Sequence, residues 1–291
     1  MSVAVKRTPG DVLRLAKRKI FKINDLRPDL FNGRFSLGEK VSLRQMRDQM
    51  VCDPEFIRLV KDIKINGVME MPVVLPTQQI IVGYRRWLAC KEAGLPEIEV
   101  LVLPTDTTPQ ERDEIIWEKE DGFRDGWEEL NRWAFLKRMA EQHGMTHGEV
   151  ARRQGCEEKE VPIRFDMVDL CKKFIEEHPG KDVPWSLFYE AAKAASPKIN
   201  LRDHLLDNPD VRKVVFDKIL AKDIKDPKAS RYLKAILLDE KLYQTLQDSG
   251  FKTALDLLRN KRKTQKSCVT LYTEQLAKSL ERNLDEYARQ F

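Results

Sequence analysis

The stretch that decides the fold is IIVGYRRWLACKEAGLPEIEV, residues 80–100. Three β-branched residues, Ile80 to Val82, run up to Gly83; a helical period then begins and closes at Gly94, and EIEV restarts an alternating strand pattern. Gly83 permits a tight turn and a close backbone approach, and the helix after it opens on Arg85 and Arg86. The free N–H groups of a helix N-terminus already favour an anion, and two fork-shaped guanidinium groups beside them suit phosphate oxygens. Two readings of the arginines stand on this stretch alone: a phosphate site, or side chains laid over Trp87 and the acidic segment 111–129.

Upstream, DPEFIRLVKDIKINGV reads as a helix with Asp53 as N-cap, Pro54 at its first position, Phe56, Leu59, Val60 and Ile63 on one face, and Gly67 as its stop. Short β-type runs follow at 71–76, 79–83 and 97–104. Helix, strand, strand, helix, strand makes an α+β unit of about fifty residues, small for a freestanding core and expected to pack against flanking helices. Nearer the start, DVLRLAKRKIF (11–21) reads as one helix opening on Asp11. Beyond PTDTTPQ the chain turns helical for most of its length, broken at Gly, Pro and Asn-Pro positions, with no internal repeat.

Residues 141–168, EQHGMTHGEVARRQGCEEKEVPIRFDMV, read as a helix-turn-helix. Thr146 and Glu149 form a capping box, Val150 and Ala151 face inward, Gly155 makes the turn, and Val161 locks the second helix onto the first. An ordinary helical hairpin is the other reading. The second helix opens on Glu157, Glu158 and Glu160, which repel phosphate, and leaves Arg152, Arg153, Gln154, Lys159 and Arg164 for DNA. His143 and His147 are four apart, but Gly144 lies between them, so turn and capping roles are expected rather than a metal pair.

The 52 basic and 47 acidic residues leave a net charge of only +5, so local charge carries the information. Six basic residues lie between Lys6 and Lys19 against the single acid Asp11; five lie in RNKRKTQK (259–266); residues 110–130 hold nine acids and three bases. Each basic run is either a solvated face or a nucleic-acid contact. Five cysteines without a CxxC pair fit reduced thiols in a cytosolic protein. No apolar stretch reaches the roughly 20 residues that cross a bilayer. The last segment places Leu271, Leu276, Leu280, Leu284 and Tyr287 at helical spacing, for a dimer contact or for burial in its own domain.

Taken in order, these motifs resemble the ParB family of chromosome- and plasmid-partition proteins. LVKDIKINGVMEMPVVL (59–75) is similar to the family's passage from a helix into a strand, with Gly67, Pro72 and Val74 in matching places. VGYRRWLACKEAGLPEIEVLV (82–102) resembles its G-E-R-R box, helix and closing strand, and 120–155 resembles the segment from E-N-x-x-R to the helix-turn-helix. The resemblance implies an α+β ParB/sulfiredoxin-like N-terminal domain, then an all-α helix-turn-helix and helical C-terminal domains. The segments expected are a basic N-terminal helix and connector (1–40), the nucleotide-binding domain (41–108), a linker helix with the helix-turn-helix (109–178), a helical domain (179–260) and a basic segment with a C-terminal helix (261–291).

In that family the N-terminal domain binds CTP with Mg2+, closing a homodimer into a clamp on double-stranded DNA. Carried over by position, Gly83, Tyr84, Arg85, Arg86 and Arg124 would hold the nucleotide, Glu120 and Asp121 the metal, and Arg152, Arg153, Gln154, Lys159 and Arg164 the DNA. The implied protein is cytoplasmic and nucleoid-associated, partnered by a Walker-type partition ATPase. Tyr84 stands where the family has Glu, which favours binding over hydrolysis and leaves at most a weak CTPase-like triphosphatase. Asp121 stands for Asn, and Asn131-Arg132-Trp133 for a Glu-Glu-Ala signature. Cys90 lies further along its helix than the reactive cysteine of sulfiredoxin, which disfavours that branch. The alternatives are a nuclease or phosphotransferase on the same fold, or a transcriptional regulator of a mobile element that has lost nucleotide binding.

Overall fold

The computed structural model describes residues 7–29, 42–121, 129–194 and 200–264, the side chains at 49 and 121 excepted. The chain divides into two compact units, Met1–Phe165 and Asp166–Phe291.

Unit 1 is built on a five-stranded sheet in the order β1-β5-β3-β4-β2. Its strands are β1 (Lys17–Lys22), β2 (Arg27–Pro28), β3 (Val73–Val74), β4 (Gln79–Val82) and β5 (Glu97–Val102). The β1–β5 and β3–β4 pairs are antiparallel, whereas β3–β5 and β2–β4 are parallel. Helices α1 (Pro9–Arg14), α2 (Leu43–Val51), α3 (Pro54–Asn66), α4 (Tyr84–Glu92), α5 (Pro109–Ile116), α6 (Glu129–His143) and α7 (His147–Gln154) surround it, and α8 (Glu160–Glu177) carries the chain across the unit boundary.

The sheet has a core on each face. One gathers Met46 and Met50 from α2, Phe56 and Ile63 from α3, Trp87 and Leu88 from α4, and Ile98, Val100 and Val102 from β5. The other gathers Val12 from α1, Ile81 and Val82 from β4, Ile115 and Ile116 from α5, and Phe135 and Met139 from α6. Burial on both faces explains why Ile80, Ile81 and Val82 form an unbroken apolar run rather than an alternating one. The small α+β unit read in the sequence does take its second core from flanking helices, α1, α5 and α6.

One expectation is corrected. The single helix expected over 11–21 ends at Arg14, and Lys17–Lys22 is instead an edge strand paired with β5, Lys17 opposite Val102 and Lys22 opposite Glu97. Among the described residues only one long side of β1 is hydrogen-bonded, and five of its six residues are exposed, so no alternation of burial marks it as a strand.

In unit 2, helices α9 (Trp185–Lys193), α10 (Leu201–Asp207), α11 (Pro209–Leu220), α12 (Pro227–Ser230), α13 (Leu233–Leu237) and α14 (Glu240–Ser249) precede a further helical stretch over 251–264. Its centre is aromatic: Phe174 meets Phe216 at 5.1 Å and Phe188 at 6.0 Å between ring centroids, in edge-on arrangements. Among the described residues no helix is long and apolar enough to cross a membrane. The apolar stripe from Leu271 to Tyr287, like Cys268, lies outside the described residues.

Candidate functional site

Gly83 ends β4 in the left-handed region, with φ 87° and ψ 27°, and is the N-cap of α4. A Cβ there would stand 3.0 Å from Pro72 Cα, so close approach to the segment that leads into β3 as well as backbone conformation requires glycine. Helices α1, α2, α3, α5 and α7 are capped by side chains of Thr8, Ser42, Asp53, Thr108 and Thr146. By contrast α4 has no side-chain cap, so the first-turn N–H groups of a nine-residue helix are left for another acceptor. One negative group already stands there: Glu120 Oε1 accepts from the Gly83 N–H at 2.9 Å. Glu120 belongs to a π-helical turn, Trp117–Asp121, that continues α5 and brings its carboxylate back over the loop.

Arg85 and Arg86 flank this N-terminus, and both are held by acids. Arg85 Nη2 donates to Asp53 Oδ2 at 2.9 Å, with Glu55 Oε2 at 3.9 Å. Arg86 Nη1 donates to the Glu70 carbonyl at 2.6 Å, and its Nη2 lies 3.2 Å from Glu70 Oε2. Neither lies over Trp87, whose Nε1 donates into the core to the Ile23 carbonyl at 3.0 Å and whose ring carries Lys91 instead. The acids of α5 are likewise taken by other bases, so the second reading of the two arginines gives way to acids on α3 and on the turn after it.

Tyr84 turns inward. It is buried against Trp87, with ring centroids 5.5 Å apart, and burial pushes its hydroxyl up to about 12 against the opposing pull of Arg47. What Tyr84 can offer a ligand at the loop is therefore its backbone N–H. Cys90 is also fully buried, and burial pushes its thiol up to about 11, the opposite of what a reactive thiol needs.

Of the expected metal residues, Glu120 stands at the loop, while the side chain of Asp121 and all of Arg124 lie outside the described residues. Among the described residues no group of three or more His, Cys, Asp or Glu side chains could hold a metal by itself. Magnesium that arrives on phosphates asks for only one or two protein carboxylates, so Glu120 fits that mode.

Two helices, α7 and α8, form around the turn that the sequence places at Gly155. Thr146 and Glu149 cap α7 reciprocally, Gly155 ends it in the left-handed conformation at φ 70°, and Val150, Ala151 and Val161 are buried. The expected DNA residues differ sharply in availability. Arg152 is exposed and Gln154 half-buried. Arg153 Nη2 donates to Glu114 Oε1 of α5 at 2.9 Å, Lys159 pairs with Glu157 at 2.5 Å, and Arg164 is mostly buried, pairing with Glu129 over the ring of Trp133.

Sequence reasoning missed the acids and the histidine that organise these sites. Asp53 was legible as a cap but not as the partner of Arg85. His143, read as a turn residue, donates or accepts at 3.0 Å with Asp113, a fully buried carboxylate of α5 that also receives Arg112 at 2.8 Å and has Arg138 at 3.7 Å. Burial lowers the Arg138 guanidinium from its ordinary range, and Asp113 pulls it back. His147 packs edge-on against Phe165, 5.9 Å away.

The described residues thus combine an α/β domain, whose helix α4 has no side-chain cap and carries two arginines in its first turn, with a following pair of helices, α7 and α8. Residues 39–116 match the family model of the ParB N-terminal domain, and the chain is similar to curated ParB proteins. The probable chromosome-partitioning protein ParB of Xylella fastidiosa (strain 9a5c) is 28% identical over 173 residues, 58% of this chain and 49% of that protein. The chain thus spans about half the length of that curated relative. Two solved structures of C-terminally truncated ParB from Caulobacter crescentus are similar. One, complexed with CTP-γ-S, is 18% identical with a TM-score of 0.29 over 65% of this chain and 99% of that one. The other, complexed to the centromeric parS site, is 15% identical with a TM-score of 0.41 over 74% and 97%.

Proposed function

We propose that this chain is a ParB-like partition or nucleoid-organising protein that binds double-stranded DNA as a homodimer, with a CTP-type nucleotide as the switch for closure on DNA. The observation that carries the reading is the N-terminus of α4: left without a side-chain cap, flanked by Arg85 and Arg86, and already holding the Glu120 carboxylate at 2.9 Å from the Gly83 N–H.

Gly83, Arg85 and Arg86 would hold the phosphates, with Arg124 in the same set, and Glu120 with Asp121 would hold Mg2+. When bound, the nucleotide supplies negative charge that competes with Asp53 and Glu70 for the two guanidinium groups. Both arginines lie against segments that bracket α3, so freeing or engaging them changes what holds that helix. Binding rather than rapid turnover is the expected chemistry, since Tyr84 contributes no carboxylate. The helix-turn-helix would read the DNA site through Arg152 and Gln154 first, because Arg153, Lys159 and Arg164 must leave acidic partners to take part. A Walker-type partition ATPase is the implied partner, and a cytoplasmic, nucleoid-associated location follows from the same reading.

The test measures retention of closed circular duplex DNA by the full chain with and without Mg-CTP. A CTP-dependent increase in salt-resistant retention supports the switch. DNA binding indifferent to all four nucleoside triphosphates would reduce the protein to a helix-turn-helix regulator.

A further inference from the structure

The expected DNA-contacting cations of the helix-turn-helix are mostly neutralised within the chain, whereas the cations of β1 are not. Lys17, Arg18, Lys19 and Lys22 are all exposed, and among the described residues none of them forms an ion pair or side-chain hydrogen bond. In the same unit Arg7, Arg47, Arg85, Arg86, Arg112, Arg153 and Arg164 are each joined to an acid. We infer that the free edge of β1 is a second DNA-contact surface, one that grips the sugar–phosphate backbone without reading sequence.

Position and spacing support this partner. Successive strand side chains alternate between faces at about 3.3 Å per residue, so the cations project on both sides of the edge, and the strand spans about 17 Å. That length runs along several phosphates of a duplex, which carries one charge per roughly 3.4 Å on each strand. A single lysine is enough to blunt an edge against strand pairing; four in six residues exceed that need. Pairing of β1 with a second copy would set like charges across from one another, which disfavours that occupant. The surplus is concentrated at one end. Glu97 and Glu99 of β5 stand opposite Lys22 and Ile20, while Lys17, Arg18 and Lys19 face the apolar Val102, Leu101 and Val100.

The inference rests on the DNA-binding reading above, and the experiment separates the two. Binding of the full chain to a fluorescent duplex of scrambled sequence is measured by anisotropy between 50 and 200 mM salt, for wild type, Lys17→Ala/Lys19→Ala and Arg152→Ala. Each lost phosphate contact removes about 0.9 from the slope of log K against log salt, so the double variant should lose about 1.8, or up to about 60-fold in affinity at 0.1 M salt. Its thermal unfolding should match wild type, because both side chains are exposed and unpaired. A wild-type protein that binds with the same slope as the double variant overturns the β1 surface and leaves the helix-turn-helix as the DNA contact. No binding by wild type overturns the DNA reading itself. If poly-glutamate binds as tightly as the duplex, and is lost equally in the double variant, the edge is an acidic-peptide site and its assignment to DNA is overturned.

Discussion

Asp113 is the residue whose removal the structure prices most clearly. Its carboxylate is fully buried on α5; Oδ1 receives Arg112 at 2.8 Å and has Arg138 at 3.7 Å, while Oδ2 meets His143 Nε2 at 3.0 Å. Asp113→Asn keeps the volume and one acceptor but removes the Asp113 charge that faces Arg112 and Arg138. Breaking a buried pair by removing one partner costs about 3–5 kcal/mol; the retained acceptor and the partial exposure of Arg112 bring the expectation to about 3 kcal/mol. For a unit of this size that corresponds to a fall of about 6–12 °C in Tm. The control is Asp106→Asn, whose pair with Arg7 at 3.0 Å involves a side chain 71% exposed and is worth under about 1 kcal/mol. Urea unfolding followed by tryptophan fluorescence reports on the right unit, since four of the five tryptophans belong to it. A variant within about 0.5 kcal/mol of the Asp106→Asn control would refute the idea that this cluster joins α5 to α6.

Gly83→Ala must place a Cβ at positive φ and 3.0 Å from Pro72 Cα, so it should destabilise unit 1 by about 2 kcal/mol and weaken nucleotide binding together; denaturant titration beside calorimetry checks both. Acid sensitivity should trace to Glu111, which the hydrogen-bonding Arg7 guanidinium holds down at about 2. Because that value lies below the unfolded range near 4.3, the contribution is complete above about pH 5 and is lost as pH falls towards 2; Glu111→Gln should flatten the stability profile over that window and leave it unchanged in shape above it.

How much of this was legible depends on whether a signal was local. In α3, the roles read for Asp53, Pro54, Phe56, Ile63 and Gly67 are those they perform. The capping box of Thr146 and Glu149 and the left-handed Gly155 were equally plain, because each is written within a few residues. Residues 11–21 were read as one helix because the Leu, Ala, Lys and Arg of that stretch are good helix formers and the exposed edge strand at its end leaves no alternating pattern to oppose them. Tyr84 was grouped with its neighbours by position in the motif, yet helix geometry turns it into the core beside Trp87. The partners of Arg85, Arg86 and His143 lie 32, 16 and 30 residues away, beyond any periodic rule on a single element. The acid-rich stretch after residue 110 was legible only as a run of charge, whereas Glu111, Asp113 and Glu114 are buried among bases brought from elsewhere in the chain.

The central claim is that the N-terminus of α4 is a nucleotide site. Isothermal titration of the full chain with each of the four magnesium nucleoside triphosphates, in wild type and Arg86→Ala, tests it most directly. Saturable binding with CTP preferred is predicted for wild type; loss of one charge-assisted donor pair should weaken it about 10- to 150-fold with folding unchanged. Absence of binding by wild type to any of the four, or equal binding by Arg86→Ala, would contradict it.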